Sequence, residues 1–164
     1  MKKTGWIGIP LLAFCATLAL AITARYRHHG AVLLNDLAAT PGKTRTANVR
    51  EVCSETTPQF RNTTEKMKNE VYAEYGVTKD EGICKGGCEI DHLISLEIGG
   101  ADDVANLWPQ PSQPRPGFHE KDLLENYLHK QVCSGKMSLA DAQRGIARDW
   151  YVMYKEMLTD QGAK

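Results

Sequence analysis

Two adjacent residues, Asp91 and His92, are the part of this sequence best suited to hydrolytic chemistry. They lie in segment 89–98, which is rich in apolar and β-branched residues and ends at Gly99-Gly100, a pattern that predicts a strand followed by a turn. A neutral imidazole takes a proton from water at neutral pH, and a carboxylate binds a divalent cation. Since adjacent strand residues face opposite sides, the two share a target only if the strand bends or a carboxylate oxygen reaches round to a metal. The pair is therefore typical of a metal ligand beside a base.

A second extended segment, at about Val104 to Trp108, follows the glycine turn and carries Asn106 fifteen residues after Asp91. Prolines at four positions then forbid a helix before about Gly117; they are Pro109, Pro111, Pro114 and Pro116. The next helix therefore begins near His119.

Helices are predicted on both sides of this strand pair. The segment Asn62-Thr63-Thr64-Glu65 is a capping box and precedes a helix over about 63 to 75. Apolar residues at helical spacing run to Ser134-Gly135, and a last helix follows with its own cap and a core-facing stripe. Its cap is formed by Ser138 with Asp141, and its stripe includes Ile146, Trp150, Met153 and Met157. The order of helix, strand pair, helix and helix predicts an α+β fold.

The N-terminus predicts export. Lys2 and Lys3 precede a run from Gly5 to Thr23 that contains no charged residue, so residues 1–24 are typical of a signal peptide. An uncleaved membrane anchor formed by residues 5–23 is the alternative. Residues 25–49 contain a Pro41-Gly42 turn and are predicted to be a flexible tether. Residues 50–160 would form the single functional domain.

Four cysteines follow the apolar run, an even number that favours disulfides in an oxidising compartment. Cys84 and Cys88 could close a local loop, which would leave Cys53 to pair with Cys133. A structural zinc is the weaker alternative, because zinc ribbons usually bring two close cysteine pairs. The chain has 20 basic and 20 acidic residues and no net charge, so any hold on nucleic acid must come from a local patch or a metal.

The ordered set Asp91-His92, Gly99-Gly100, Asn106-Leu107 and His119 resembles the HNH endonuclease family. The resemblance is strong from Glu89 to Trp150 and includes the segments Asn106-Leu107-Trp108-Pro109-Gln110-Pro111 and Lys121-Asp122, followed by Glu125 and Leu128-His129. It implies a ββα-metal core, a hairpin plus a helix, with additional packed helices on either side. It also implies one divalent ion, Mg²⁺, Mn²⁺ or Zn²⁺, without an organic cofactor. The expected activity is hydrolysis of phosphodiester bonds in DNA or RNA by a monomer outside the cytoplasm.

The resemblance assigns a role to each of four residues. His92 is the general base, Asn106 braces the loop and orients His92, and Asp91 and His119 are the metal ligands. A catalytically inactive, disulfide-stabilised protein that binds nucleic acid or metal on the same scaffold is the alternative. A membrane-anchored component of DNA uptake or of a contact-delivered toxin would differ in partner only.

The metal site has a competing ligand set on the same helix. His129 shares a helical face with Glu125 and Asp122, and the three could hold one metal or merely pack and pair. The alternative for this helix is that Lys121, Asp122 and Glu125 form a solvated face with local ion pairs. His119 and His129 are separated by ~15 Å along a helix, so only one can bind a given ion. Because the metal in this architecture lies at the beginning of the helix, we predict His119.

Overall fold

The computed structural model describes residues 24–162. These residues form two antiparallel two-stranded hairpins and four α-helices, so the fold is α+β, as predicted. The first hairpin and helix pair comprise β1 (Arg27–His29), β2 (Val32–Leu34), α1 (Val49–Ser54) and α2 (Glu65–Tyr75). The second part comprises β3 (Cys88–His92), β4 (Leu107–Pro111), α3 (Phe118–Cys133) and α4 (Leu139–Gly162).

The predicted leader lies almost wholly outside the described part of the chain, which begins at Ala24. Between residues 24 and 162, no helix combines the length and the apolar character needed to cross a bilayer.

The hairpin of β3 and β4 presents the predicted site residues. Asp91 is opposite Trp108 and His92 is opposite Leu107 in the antiparallel register. The strand predicted over residues 89–98 is shorter, because the chain turns after His92 and forms a 3-10 turn at Leu96–Ile98. In this turn the Ser95 side chain accepts a hydrogen bond from the Glu97 backbone amide. This local bond competes with strand pairing.

The second strand begins and ends later than predicted, because Val104–Asn106 forms a 3-10 turn and the strand starts at Leu107. It continues to Pro111 and includes Pro109, which is paired with Ile90. Each strand of a two-stranded sheet has one open edge, so a proline without an N–H is accommodated there. The helix that follows begins at Phe118, in agreement with the predicted limit.

The glycine turn is required by close packing. A Cβ atom on Gly100 would lie 1.8 Å from the Ile94 carbonyl oxygen, and Gly99 has φ +80°, which other residues rarely adopt. The chain between β3 and β4 can therefore fold back tightly on itself only with glycine at these positions.

Helix α4 begins at its predicted cap, whereas α2 begins at Glu65 with Thr64 as its N-cap, two residues later than the predicted capping box placed it. Thr64 accepts a hydrogen bond from the Met67 amide at 3.2 Å, and α2 ends at Gly76 with φ +62°. The Ser138 hydroxyl accepts from the Asp141 amide at 3.0 Å. Helix α4 is interrupted at Asp149, whose side chain caps the continuation by accepting from two backbone amides.

Residues 25–49 do not form the predicted flexible tether. Strand β2 is buried, with Val32 4% and Leu34 2% exposed. The hydroxyl of Tyr75 donates to Thr40 Oγ1 at 2.8 Å and ties this segment to α2. Hydrophobic burial and this buried hydrogen bond outweigh the loop-like composition on which the prediction was based.

Both predicted disulfides are confirmed. Cys84 is bonded to Cys88 across a short loop, and Cys53 is bonded to Cys133 over a sequence separation of 80 residues. The long-range bridge joins α1 to the end of α3. Such bonds are typical of proteins that fold in an oxidising environment.

Candidate active site

The His92 side chain is paired with an acidic residue that the sequence did not single out. Its Nε2 atom lies 2.8 Å from Oδ1 of Asp102, and the two side chains are 4% and 9% exposed. Asp102 lies after the glycine turn, in the connection between β3 and β4. The turn therefore returns a carboxylate to the imidazole at the end of β3.

Asp102 is itself held by the segment that precedes α2. The Thr63 hydroxyl donates to its Oδ1 at 2.5 Å, and the Asn62 backbone amide donates to its Oδ2. Burial raises the pKa of Asp102, but these hydrogen bonds and the one from His92 outweigh it and hold the pKa below its usual value. Asp102 is therefore an ionised acceptor at neutral pH.

An ionised carboxylate can only accept hydrogen bonds, so Nε2 of His92 carries the proton that it shares with Asp102. The other ring nitrogen, Nδ1, is then unprotonated. Burial lowers the pKa of His92, against the raising effect of the Asp102 hydrogen bond and of the Asp91 and Asp102 charges. The ring is thus neutral at pH 7, with one nitrogen able to accept a proton.

Asn106 connects both ends of the loop between the strands. Its side-chain amide donates to the carbonyls of Ile94 and Ala101, each at 2.9 Å, and its Oδ1 accepts from the Ile94 amide at 3.0 Å. Its own carbonyl accepts from the Leu93 amide at 2.7 Å. These contacts fix the backbone immediately after His92, while the imidazole itself is held by Asp102.

Asp91, on the opposite face of the strand, is paired with a lysine of α3. Nζ of Lys121 lies 2.7 Å from Asp91 Oδ2 and 2.7 Å from the His92 carbonyl oxygen, and it also contacts Glu125. The Lys121 side chain is 0% exposed. Its three N–H donors each have an acceptor, which is what a buried ammonium requires.

The charges of this cluster act on one another. Burial lowers the pKa of Lys121, but the carboxylates of Asp91 and Glu125 outweigh it and raise the pKa above its usual value. Burial raises the pKa of Glu125, and Lys121 opposes this. The interpretation of Lys121, Asp122 and Glu125 as a solvated face was wrong for Lys121 and Glu125, because α3 packs these two against β3 and the 3-10 turn.

Further acidic residues surround Asp91 at the surface. Burial raises the pKa of Glu89, and the charges of Asp122 and Asp91 raise it further. Asp122 has a raised pKa for the same reasons, burial first and then the charge of Asp91. His119, exposed at the first turn of α3, partly offsets both effects. The mouth of the site thus combines carboxylate oxygens with one imidazole.

His129 is not brought together with Asp122 and Glu125. Its Nε2 lies 3.3 Å from the Val52 carbonyl oxygen of α1. Within residues 24–162, one group of at least three possible metal-binding side chains has its ligand atoms within 4.8 Å of one another, and it consists of His129, Cys53 and Cys133. Both cysteines are joined in a disulfide, so their sulfur atoms are not thiolate ligands in this structure.

Two functional candidates, Asp102 and Lys121, were missed at the sequence level. Asp102 has an acidic neighbour, Asp103, and nothing in the local pattern distinguishes the residue that meets His92 from the one that pairs with Lys43. Lys121 and Glu125 are four residues apart on a helix, which indicates an ion pair but not its burial.

Comparison with known proteins found no matching family model, no similar curated protein and no similar solved structure.

Proposed function

We propose that this protein is a metal-dependent endonuclease of the HNH type that hydrolyses phosphodiester bonds in DNA or RNA. The observation that carries the proposal is the buried pair of His92 and Asp102, in which His92 follows Asp91 in the chain at the end of β3. The supporting framework is a β-hairpin followed by α3, the order of elements in a ββα-metal core.

In this mechanism His92 is the general base. Asp102 accepts a hydrogen bond from the Nε2–H of His92 and so leaves Nδ1 as the nitrogen that takes a proton from the attacking water. After the transfer the ring is positively charged, and the adjacent Asp102 carboxylate stabilises that charge. Asn106 keeps the backbone around His92 in place through its hydrogen bonds to Leu93, Ile94 and Ala101.

The donor atoms around Asp91 fit a divalent cation. One carboxylate oxygen, Oδ2, is bound to Lys121, and no described residue donates to the other, while the side chain is 13% exposed. Carboxylate oxygens are ligands for Mg²⁺, Mn²⁺ and Zn²⁺, and an imidazole in addition suits Zn²⁺ best. Asp91 and His119 would hold the ion, and the repulsion among Asp91, Glu89 and Asp122 would be relieved by it. A bound ion supplies positive charge for the phosphate and the departing oxygen.

The two disulfides support activity outside the cytoplasm. Together with the apolar N-terminal run, they favour a periplasmic or secreted enzyme or one anchored by residues 5–23.

The test is digestion of plasmid DNA and of RNA by the full chain, with added divalent ions and with chelator. We expect cleavage that requires the ion, and loss of about 10²- to 10⁴-fold in rate for His92→Ala, with folding and metal binding nearly unchanged. Near-parental cleavage by folded His92→Ala protein would contradict the base assignment. Thr159→Ala, an exposed change on α4, is a control that leaves the site untouched.

Two observations favour a second candidate. His92 is only 4% exposed, and Asp91 is already paired with the buried Lys121. A catalytically inactive scaffold would hold the same residues in such buried, purely structural contacts. Such a protein would bind nucleic acid or metal without turnover. Binding of either one by the parent protein, without cleavage of any DNA or RNA tested, would select this candidate.

A further inference from the structure

A polar groove borders the proposed active site on the side of α2. It has a volume of about 630 Å³ and lies between α2, the segment before it and strand β3. The side chains that matter here are Arg61, Asn62, Lys68, Asn69, Tyr72 and Lys79.

The groove lining has a small excess of positive charge, whereas the chain as a whole has no net charge. Three basic side chains line the groove, Arg61, Lys68 and Lys79, and two acidic ones, Glu65 and Glu89. Glu65 is already paired with Lys68 at 2.6 Å. The remaining positive charge suits the phosphates of a nucleic-acid backbone.

The groove is physically connected to His92. Asn62 and Thr63, which line its wall, both donate to Asp102, and Asp102 holds the His92 imidazole. A strand lying in the groove would therefore contact the two residues that hold Asp102.

One aromatic side chain, Tyr72, lines the same groove and is only partly buried. An aromatic ring among basic side chains is the arrangement that binds single-stranded nucleic acid, because an unstacked base can pack on the ring while the cations follow the backbone. Bases in a duplex are stacked on one another and do not offer this contact.

We propose that this groove binds a single-stranded segment of DNA or RNA, with Lys68, Lys79 and Arg61 on its phosphates and Tyr72 against a base. The inference rests on the proposed nuclease function, and it names the strand form and the path of the substrate. It assigns a binding role to four residues that lie outside the Asp91 and His92 motif.

The test measures binding without cleavage. The full chain carrying His92→Ala is titrated into fluorescent single strands of about 12 nucleotides, DNA and RNA, and into a duplex of the same sequence, at several salt concentrations. We expect tighter binding of at least one single strand than of the duplex. Lys68→Ala and Lys79→Ala should each weaken single-strand binding and reduce the magnitude of the slope of log affinity against log salt concentration by about 1.

Lys66→Ala is the matched control, since Lys66 is exposed on the same helix but does not line the groove. The Lys66→Ala variant should bind the single strands with the same affinity as the protein without this change. Tyr72→Ala should weaken single-strand binding by about 5- to 100-fold, whereas Tyr72→Phe, which keeps the ring, should not. Thermal unfolding of each variant confirms that it is folded.

The outcomes separate this inference from the proposed function. Three results would overturn the groove assignment, even if the parent protein cleaves nucleic acid. They are unchanged single-strand affinity in the lysine and Tyr72→Ala variants, tighter binding of the duplex than of either single strand, and no binding of any strand. The groove variants could also weaken single-strand binding in a protein whose parent form cleaves neither DNA nor RNA. That result would overturn the proposed hydrolase function and leave the groove assignment standing.

Discussion

The Nζ atom of Lys121 lies 2.7 Å from Oδ2 of Asp91 and bridges helix α3 to the end of strand β3. The same ammonium contacts the His92 carbonyl oxygen, so one buried cation holds the backbone that carries both motif residues. Since the cation has no exposed surface, its removal leaves Asp91 and Glu125 as close, unpaired carboxylates.

We expect Lys121→Met to destabilise the protein by about 3–5 kcal/mol, because breaking a buried ion pair leaves an uncompensated charge. Urea unfolding at pH 7 measures the change. Lys130→Met, on an exposed position of the same helix, is the control and should cost little. A loss of less than about 1 kcal/mol in Lys121→Met would mean that Asp91 and Glu125 are neutral or rearranged without the lysine.

Asp102→Asn should lower kcat while leaving KM nearly unchanged, because Asp102 positions His92 and does not itself contact substrate. The introduced amide side chain would present His92 with either an N–H donor or a neutral oxygen, which is a weaker acceptor than a carboxylate. The tautomer of His92 with its proton on Nε2 is then no longer favoured. We expect a fall in kcat of about 10²- to 10⁴-fold.

Thr63→Ala provides the comparison for that change. It removes one of the donors to Asp102 but retains the carboxylate and its bond to His92. Its kcat should fall much less than that of Asp102→Asn. Equal effects on kcat, or a change confined to KM, would count against a positioning role.

Calorimetric titration with Mn²⁺ or Zn²⁺ should distinguish the two histidines of α3. His119→Ala should weaken binding, because the exposed imidazole lies beside Asp122 and Glu89 at the mouth of the site. His129→Ala should not, since His129 faces α1 and the Cys53–Cys133 disulfide. Weakened binding in the second variant alone would place the ion elsewhere.

Opening the two disulfides should have unequal costs. The loop-entropy model gives about 4–5 kcal/mol for the bridge between Cys53 and Cys133 and about 2 kcal/mol for the local bridge between Cys84 and Cys88. Paired Cys→Ser variants and urea unfolding measure both. Alkylation under denaturing, non-reducing conditions should leave all four residues unmodified, and labelling at any of them would contradict the pairing.

Much of the local structure was predictable from neighbouring residues. The polar residues before α2, the prolines that delay α3 until Phe118, the cap of α4, the glycine turn after β3 and the even number of cysteines each act over a few residues or by simple pairing. These features predicted three of the four helices, the hairpin and both disulfides. Asp91, His92 and Asn106 were recognisable as candidates because their order and spacing are part of the chain itself.

The partners of those residues depended on the tertiary structure. Whether Asp102 or Asp103 meets His92 is decided by the path of the glycine turn and by two donors from before α2. The burial of Lys121 is decided by the packing of α3 on β3. Residues 25–49 are ordered for a similar reason, since β2 is covered by elements distant in sequence. Composition and spacing describe what a side chain can do, but only the folded chain brings together charges and donors that lie 10 to 40 residues apart.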